Sequence, residues 1–189
     1  MKSGAPFLRL CHLALAAFVM LFAPIAIAQV SPAAFAGSGG LSVFLMYKDT
    51  NPDLIITTDH GITYGGEFKF RPIAHVQPAI MGRGENDFTS KYIRWSIYSG
   101  GPQFHFMASH RLSPYAGIML GLGPATFRGG YKDTATIYQI GGGATYRIIG
   151  RLSAIADFQY HWADFGTHKG IDTTFTPYSI NVGVQYKIF

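Results

Sequence analysis

The chain has 189 residues, enough for one domain, and pairs a 48% hydrophobic composition with only 13% charged residues, against about 25% in soluble globular proteins. Aromatic residues reach 15% and there are 23 Gly, so the chain lacks the charge with which a soluble protein of this size covers its surface. The net charge of +5 falls to +3 (13 basic against 10 acidic residues) once residues 1–28 are set aside, too little for a nucleic-acid binder, and no zinc-finger spacing or Lys/Arg run supplies one.

Lys2 and Arg9 precede an apolar stretch over residues 10–22, followed by Pro24 and small residues. Ala26-Ile27-Ala28 before Gln29 has the A-x-A form that a signal peptidase reads; Ala34-Phe35-Ala36 before Gly37 is a second candidate. The expectation is a signal peptide over residues 1–28, cleaved between Ala28 and Gln29, then a flexible tail at 29–40. No later segment offers 18 consecutive apolar residues, so no other helix spans a membrane. The single cysteine, Cys11, sits in the leader ahead of the apolar stretch, a poor place for a lipoprotein site. The mature chain is left with no disulfide, thiol nucleophile or thiolate ligand.

From Leu41 onward the apolar period is two. Strands are expected near 41–48, 62–70, 75–83, 92–107, 115–123, 138–148, 152–162 and 178–188. In the second, Ile62, Tyr64, Phe68 and Phe70 alternate with Thr63, Glu67 and Lys69. In the sixth, Tyr138, Ile140, Ala144, Tyr146 and Ile148 alternate with Gln139, Thr145 and Arg147. In the seventh, Leu152, Ala154, Ala156, Phe158, Tyr160 and Trp162 alternate with Ser153, Asp157, Gln159 and His161. The last sets Tyr178, Ile180, Val182, Val184 and Tyr186 against Ser179, Asn181, Gln185 and Lys187. The fourth strand changes phase, with Ile93, Trp95 and Ile97 facing lipid at one end and Phe104 and Phe106 at the other; a bulge at Gly100-Gly101-Pro102 would account for it. Stretches of about ten residues with one apolar, aromatic-ended face suit tilted strands crossing a bilayer around a polar interior. The connections at 49–60, 84–91, 124–135 and 164–176 are long, and those at 71–74, 108–114 and 149–151 shorter. The prediction is an all-β chain: an eight-stranded antiparallel up-and-down transmembrane β-barrel over 41–189, long loops extracellular and both barrel ends periplasmic.

Gly101-Pro102-Gln103-Phe104, Arg111-Leu112-Ser113-Pro114-Tyr115 leading into Gly121-Leu122-Gly123, and the closing Gly183-Val184-Gln185-Tyr186-Lys187-Ile188-Phe189 resemble the outer-membrane β-barrel domain family, which includes small OmpA- and OmpX-like barrels of Gram-negative bacteria. The resemblance implies a cell outer membrane location and makes Phe189 the signal read by the outer-membrane assembly machinery. The aromatic that such tails carry two residues before the end is here Lys187.

The residues expected to point inward with charge are Glu67, Lys69, Arg83, Arg94, Arg147, Asp157 and Lys187. Buried charges persist when paired, so Glu67 and Asp157 are expected to accept from the arginines and fill the lumen. His75, His105 and His161 are also read as inward, too few to assemble a metal site. No histidine is followed two residues later by the serine that lipid A deacylase barrels resemble one another in carrying, and Gly141-Gly142-Gly143 lies within a strand and lacks a phosphate-loop ending. The expectation is a small integral outer-membrane protein with a structural or surface-interaction role, no enzyme, no cofactor, no metal and no catalytic residues. Its partners would be outer-membrane lipids, lipopolysaccharide and the assembly machinery, not nucleic acid, and it would be a monomer. The alternatives are a lipid-modifying enzyme, with His60 and Asp59 or His168 and Asp164 as loop candidates, and a narrow, weakly anion-selective channel lined by surplus basic groups.

Overall fold

The computed structural model describes residues 39–51, 59–88, 93–107, 110–127, 130–168 and 171–189, with the side chains of 167–173 excepted. The leader, the Ala28/Gln29 site and the tail up to residue 38 lie outside the described residues.

Nine strands are described: β1 Gly40–Asn51, β2 Asp59–Lys69, β3 Val76–Asp87, β4 Ile93–Phe106, β5 Leu112–Phe127, β6 Lys132–Ile149, β7 Leu152–His168, β8 Ile171–Phe175 and β9 Tyr178–Lys187. Each wall strand pairs antiparallel with its sequence neighbour, and β9 pairs with both β7 and β1. Eight strands, β1–β7 and β9, thus close a barrel without free edges. β8 is a short addition paired to the far end of β7.

Alternation writes the two faces. Val43, Leu45, Ile118, Leu120, Ile140, Ile180, Val182 and Val184 are exposed on the outside, while Thr63, Glu67, Gln139, Gln159 and Asn181 are buried inside. Exposed aromatics border this outer band: Tyr47, Tyr98, Tyr138, Trp162 and Tyr178 toward the loop end, Phe104, Tyr146 and Tyr186 toward the end where Gly40 and Phe189 lie. Apolar side chains left outward on every strand suit a hydrocarbon surround, since water would gain nothing from them.

Two expectations are corrected. β4 has no phase change: Ile80↔Pro102, Met81↔Gly101 and Gly82↔Gly100 continue one register with β3, and the pairing with β5 is equally unshifted. Ile97 is therefore buried inside, and Tyr98, Phe104 and Phe106 share the outward parity. Gly101 serves close approach instead of a bulge; a Cβ there would lie 2.9 Å from the Cα of Met119. The Gly141–Gly143 run does lie within β6, where a side chain at Gly141 would run into Gln159. The second correction concerns the loop end, where strands run on into segments read as loops. β3 continues to Asp87, β5 to Phe127, and β6 begins at Lys132.

Candidate functional site

The lumen is filled in layers. Nearest the loop end, Ile97, Ala125, Ala135, Ile137, Ala163 and Phe165 form a buried apolar cap, with Ile93, Trp95, Phe127 and Phe175 packed against it. A second apolar layer, Phe44, Met46, Met81, Tyr115, Met119 and Ile155, lies deeper. An apolar residue at an inward position needs no lipid to cover it when its cross-lumen neighbours are apolar too.

Between these layers runs an ionic network that neighbouring strands assemble from inward positions. Lys48 Nζ on β1 lies 3.0 Å from Glu85 Oε2 and 3.0 Å from Asp87 Oδ1 on β3. Arg83 binds Glu85 through Nε at 3.1 Å and Asp157 of β7 through Nη1 at 3.0 Å. Asp157 also accepts from Tyr115 at 3.0 Å and from Asn181 at 2.6 Å. Gln139 donates to Glu85 at 2.9 Å and lies 2.8 Å from His161, whose other ring nitrogen is 3.2 Å from Ser179 Oγ. Trp95 donates to Asp87 and ties the network to the cap. Two cations thus meet three carboxylates, all buried; such charges persist only with this density of partners.

A smaller cluster sits nearer the other mouth. Glu67 is bonded to His105, accepts from Gln185 at 2.9 Å and lies 3.4 Å from Lys69. Ser113 Oγ is 3.5 Å from the second nitrogen of His105, but it also lies 3.0 Å from the carbonyl oxygen of Phe106, to which it donates. Among the described residues, no group of three or more His, Cys, Asp or Glu could hold a metal ion.

Of the seven charged residues expected inward, the structure brings Glu67 and Lys69 together at one level and Arg83 and Asp157 at another. Arg94 is exposed on the outward parity of β4, because the Ile93–Ile97 stretch faces the cap and not lipid. Arg147 and Lys187 are exposed at the mouth and join neither cluster. His105 and His161 are buried inside, whereas His75 is exposed in the β2–β3 turn, and Gln77 takes the place opposite His105. Lys48, Glu85 and Asp87 went unforeseen. Glu85 and Asp87 fall in a stretch read as loop, although they continue the inward series Gln77, Met81, Arg83 at a period of two. His60 and Asp59 lie beside each other at the start of β2, where His60 contacts Tyr47 and Asp49 outside the barrel. Asp164 pairs with Thr136 in the β6–β7 ladder, and the side chain of His168 lies outside the described residues.

At the mouth shared by Gly40 and Phe189 the lumen opens into a recess of about 110 Å3, lined by Lys69, Arg111, Arg147, Arg151 and Lys187 above a floor that includes Ser113, Thr145 and Gln185.

A closed eight-strand wall with an apolar outside and a packed polar interior is the geometry of small outer-membrane barrels. The sequence pattern of the outer membrane protein beta-barrel domain matches residues 13–187. The chain belongs to the outer membrane protein beta-barrel domain family. As a member of that family it is an outer-membrane protein. Neisserial surface protein A is similar in fold, with a TM-score of 0.53 at 16% identity over 80% of this chain and 98% of that one. The N-terminal beta-barrel domain of Pseudomonas aeruginosa OprF (TM-score 0.46, 18% identity, 78% of this chain and 99% of that one) and Ail of Yersinia pestis (0.45, 14%, 78% and 97%) also match. No curated protein matches the chain.

Proposed function

We propose that this outer-membrane barrel is a closed, non-catalytic wall element that supports envelope structure or surface contacts through its extracellular end. The observation that carries this reading is the packed lumen, with an apolar cap and a buried ionic network stacked across it. Eight strands leave an interior that side chains can fill, and here they do. An anion-selective channel is disfavoured further because the central network holds more carboxylates than cations, so the expected surplus of basic groups does not line it. A catalytic reading finds its nearest support in Ser113, His105 and Glu67. Yet the serine hydroxyl is committed to the Phe106 carbonyl, and a nucleophile needs that proton on its base. Outer-membrane lipids and lipopolysaccharide are the expected surroundings of the apolar band, and the assembly machinery the expected reader of Phe189, with a single barrel as the working unit.

Planar-bilayer recording tests the closed lumen: no sustained openings are expected, and ion-selective openings abolished by Arg83→Ala would replace this reading with a channel. Incubation with lipid A tests the absence of catalysis. Acyl release lost in Ser113→Ala or His105→Gln would replace it with an enzyme.

A further inference from the structure

The recess at the Gly40 and Phe189 mouth has a composition unlike the rest of the lumen. Lys69, His110, Arg111, Arg147, Arg151 and Lys187 line it, and no carboxylate does. Among the described residues, Arg111, Arg147 and Lys187 make no ion pair. Arg151 donates to the Ile188 carbonyl at 3.0 Å, an acceptor without net charge. Of the carboxylates nearby, the Glu67 side chain is fully buried behind the floor and already bonded to His105, Gln185 and Lys69, and the main-chain carboxyl of Phe189 lies at the rim beside Gly40 and Lys187, one negative group against several cations. Cations gathered around one concavity repel one another, and its walls hold the field of like charge in place. The floor supplies neutral groups able to bind oxygen, the hydroxyls of Ser113 and Thr145 and the amide of Gln185.

We propose that this recess binds one phosphate-type oxyanion offered from the periplasmic side. Guanidinium forks match the oxygens of phosphate two at a time, and Arg111, Arg147 and Arg151 supply three of them. The volume of about 110 Å3 sets the scale. That is room for one tetrahedral oxyanion. The layers above the floor are closed, so the anion enters and leaves by the same mouth. The same chemistry is available as soluble phosphate or as the headgroup of an anionic phospholipid in the inner leaflet. The site concerns binding alone, and it stands whether or not the surface role proposed above is correct.

The test uses the protein extracted from outer membranes into maltoside micelles, which carry no phosphate, titrated calorimetrically with inorganic phosphate at low ionic strength. Saturable binding of one phosphate is expected, weakened about tenfold by Arg147→Gln or Lys187→Gln. Arg94→Gln, at the other end of the barrel, should leave it unchanged, and a heat-modifiable gel band confirms that each variant is folded. Adding phosphatidylglycerol to the micelles separates the sources. Lost phosphate binding marks the lipid headgroup as the occupant, whereas unchanged binding marks a soluble anion, and either result supports the site. Absence of saturable binding to the wild-type protein in phosphate-free micelles, or equal weakening by Arg94→Gln and Arg147→Gln, overturns it.

Discussion

Arg83 joins two carboxylates that reach it from different directions, Glu85 two residues along β3 and Asp157 from β7 across the lumen. All three are buried, so the cost of desolvating each is offset only by the others and by the donors around them, Lys48, Gln139, Tyr115 and Asn181. Removing the guanidinium strands negative charge in a site water does not reach. Arg83→Met is expected to destabilise the folded barrel by about 3–5 kcal/mol. Asp157→Asn removes a charge from the other side, and the double variant should lose less than the two single losses added together, by about 0.5–3 kcal/mol. Urea midpoints of the barrel in lipid or detergent measure both, and strictly additive losses would mean that the two groups do not act as a pair.

On the scale of a strand, β9 shows how the wall divides between lipid and lumen. Tyr178 and Tyr186 are exposed near its ends, Val182 is 57% exposed halfway between them, and Ser179, Asn181 and Gln185 are buried on the other face. Val182→Arg places a cation near the midplane, where it costs about 2–4 kcal/mol. Tyr186→Arg, nearer the interface, should cost about 0–1 kcal/mol. Thr145→Arg on β6 points into the mouth recess, where it adds to the cations but meets water and not lipid, and should impair folding less than Val182→Arg does. Folded fractions on unheated gels rank the three, and equal impairment would contradict the assignment of faces. This division was legible in the sequence wherever inward residues are polar, as on β2, β6, β7 and β9. It failed on β4, because an inward Ile97 and an outward Tyr98 carry the same hydrophobic label and only the cap, built from residues of five strands, says which is which. It failed again at Glu85 and Asp87, since acidic residues at a strand end read as loop when the strand outruns the bilayer. Pairs such as Arg83 and Asp157 were legible as residue types, but their meeting depends on strands more than seventy residues apart in the chain.

For the whole molecule, the stacked layers imply that water and small reagents reach the lumen from the recess side only, and only as far as its floor. The chain carries one cysteine, Cys11, within the predicted leader, so introduced thiols report on depth without background once that leader is gone. Ser153→Cys lines the recess, Ser179→Cys is fully buried beside His161, and Lys132→Cys is exposed at the start of β6 on the loop end. A membrane-impermeant maleimide added to intact cells should label Lys132→Cys alone. Permeabilising the outer membrane should add Ser153→Cys, and Ser179→Cys should react only after the barrel is unfolded. The wild-type protein should stay unlabelled even when unfolded if the leader is cleaved between Ala28 and Gln29 as the sequence predicts, since that removes Cys11; labelling there would show that the leader is retained. Reaction of Ser179→Cys in the folded barrel would show a lumen open to water. Reaction of Ser153→Cys in intact cells would place the basic mouth at the cell surface, and with it reverse the side from which the recess is filled.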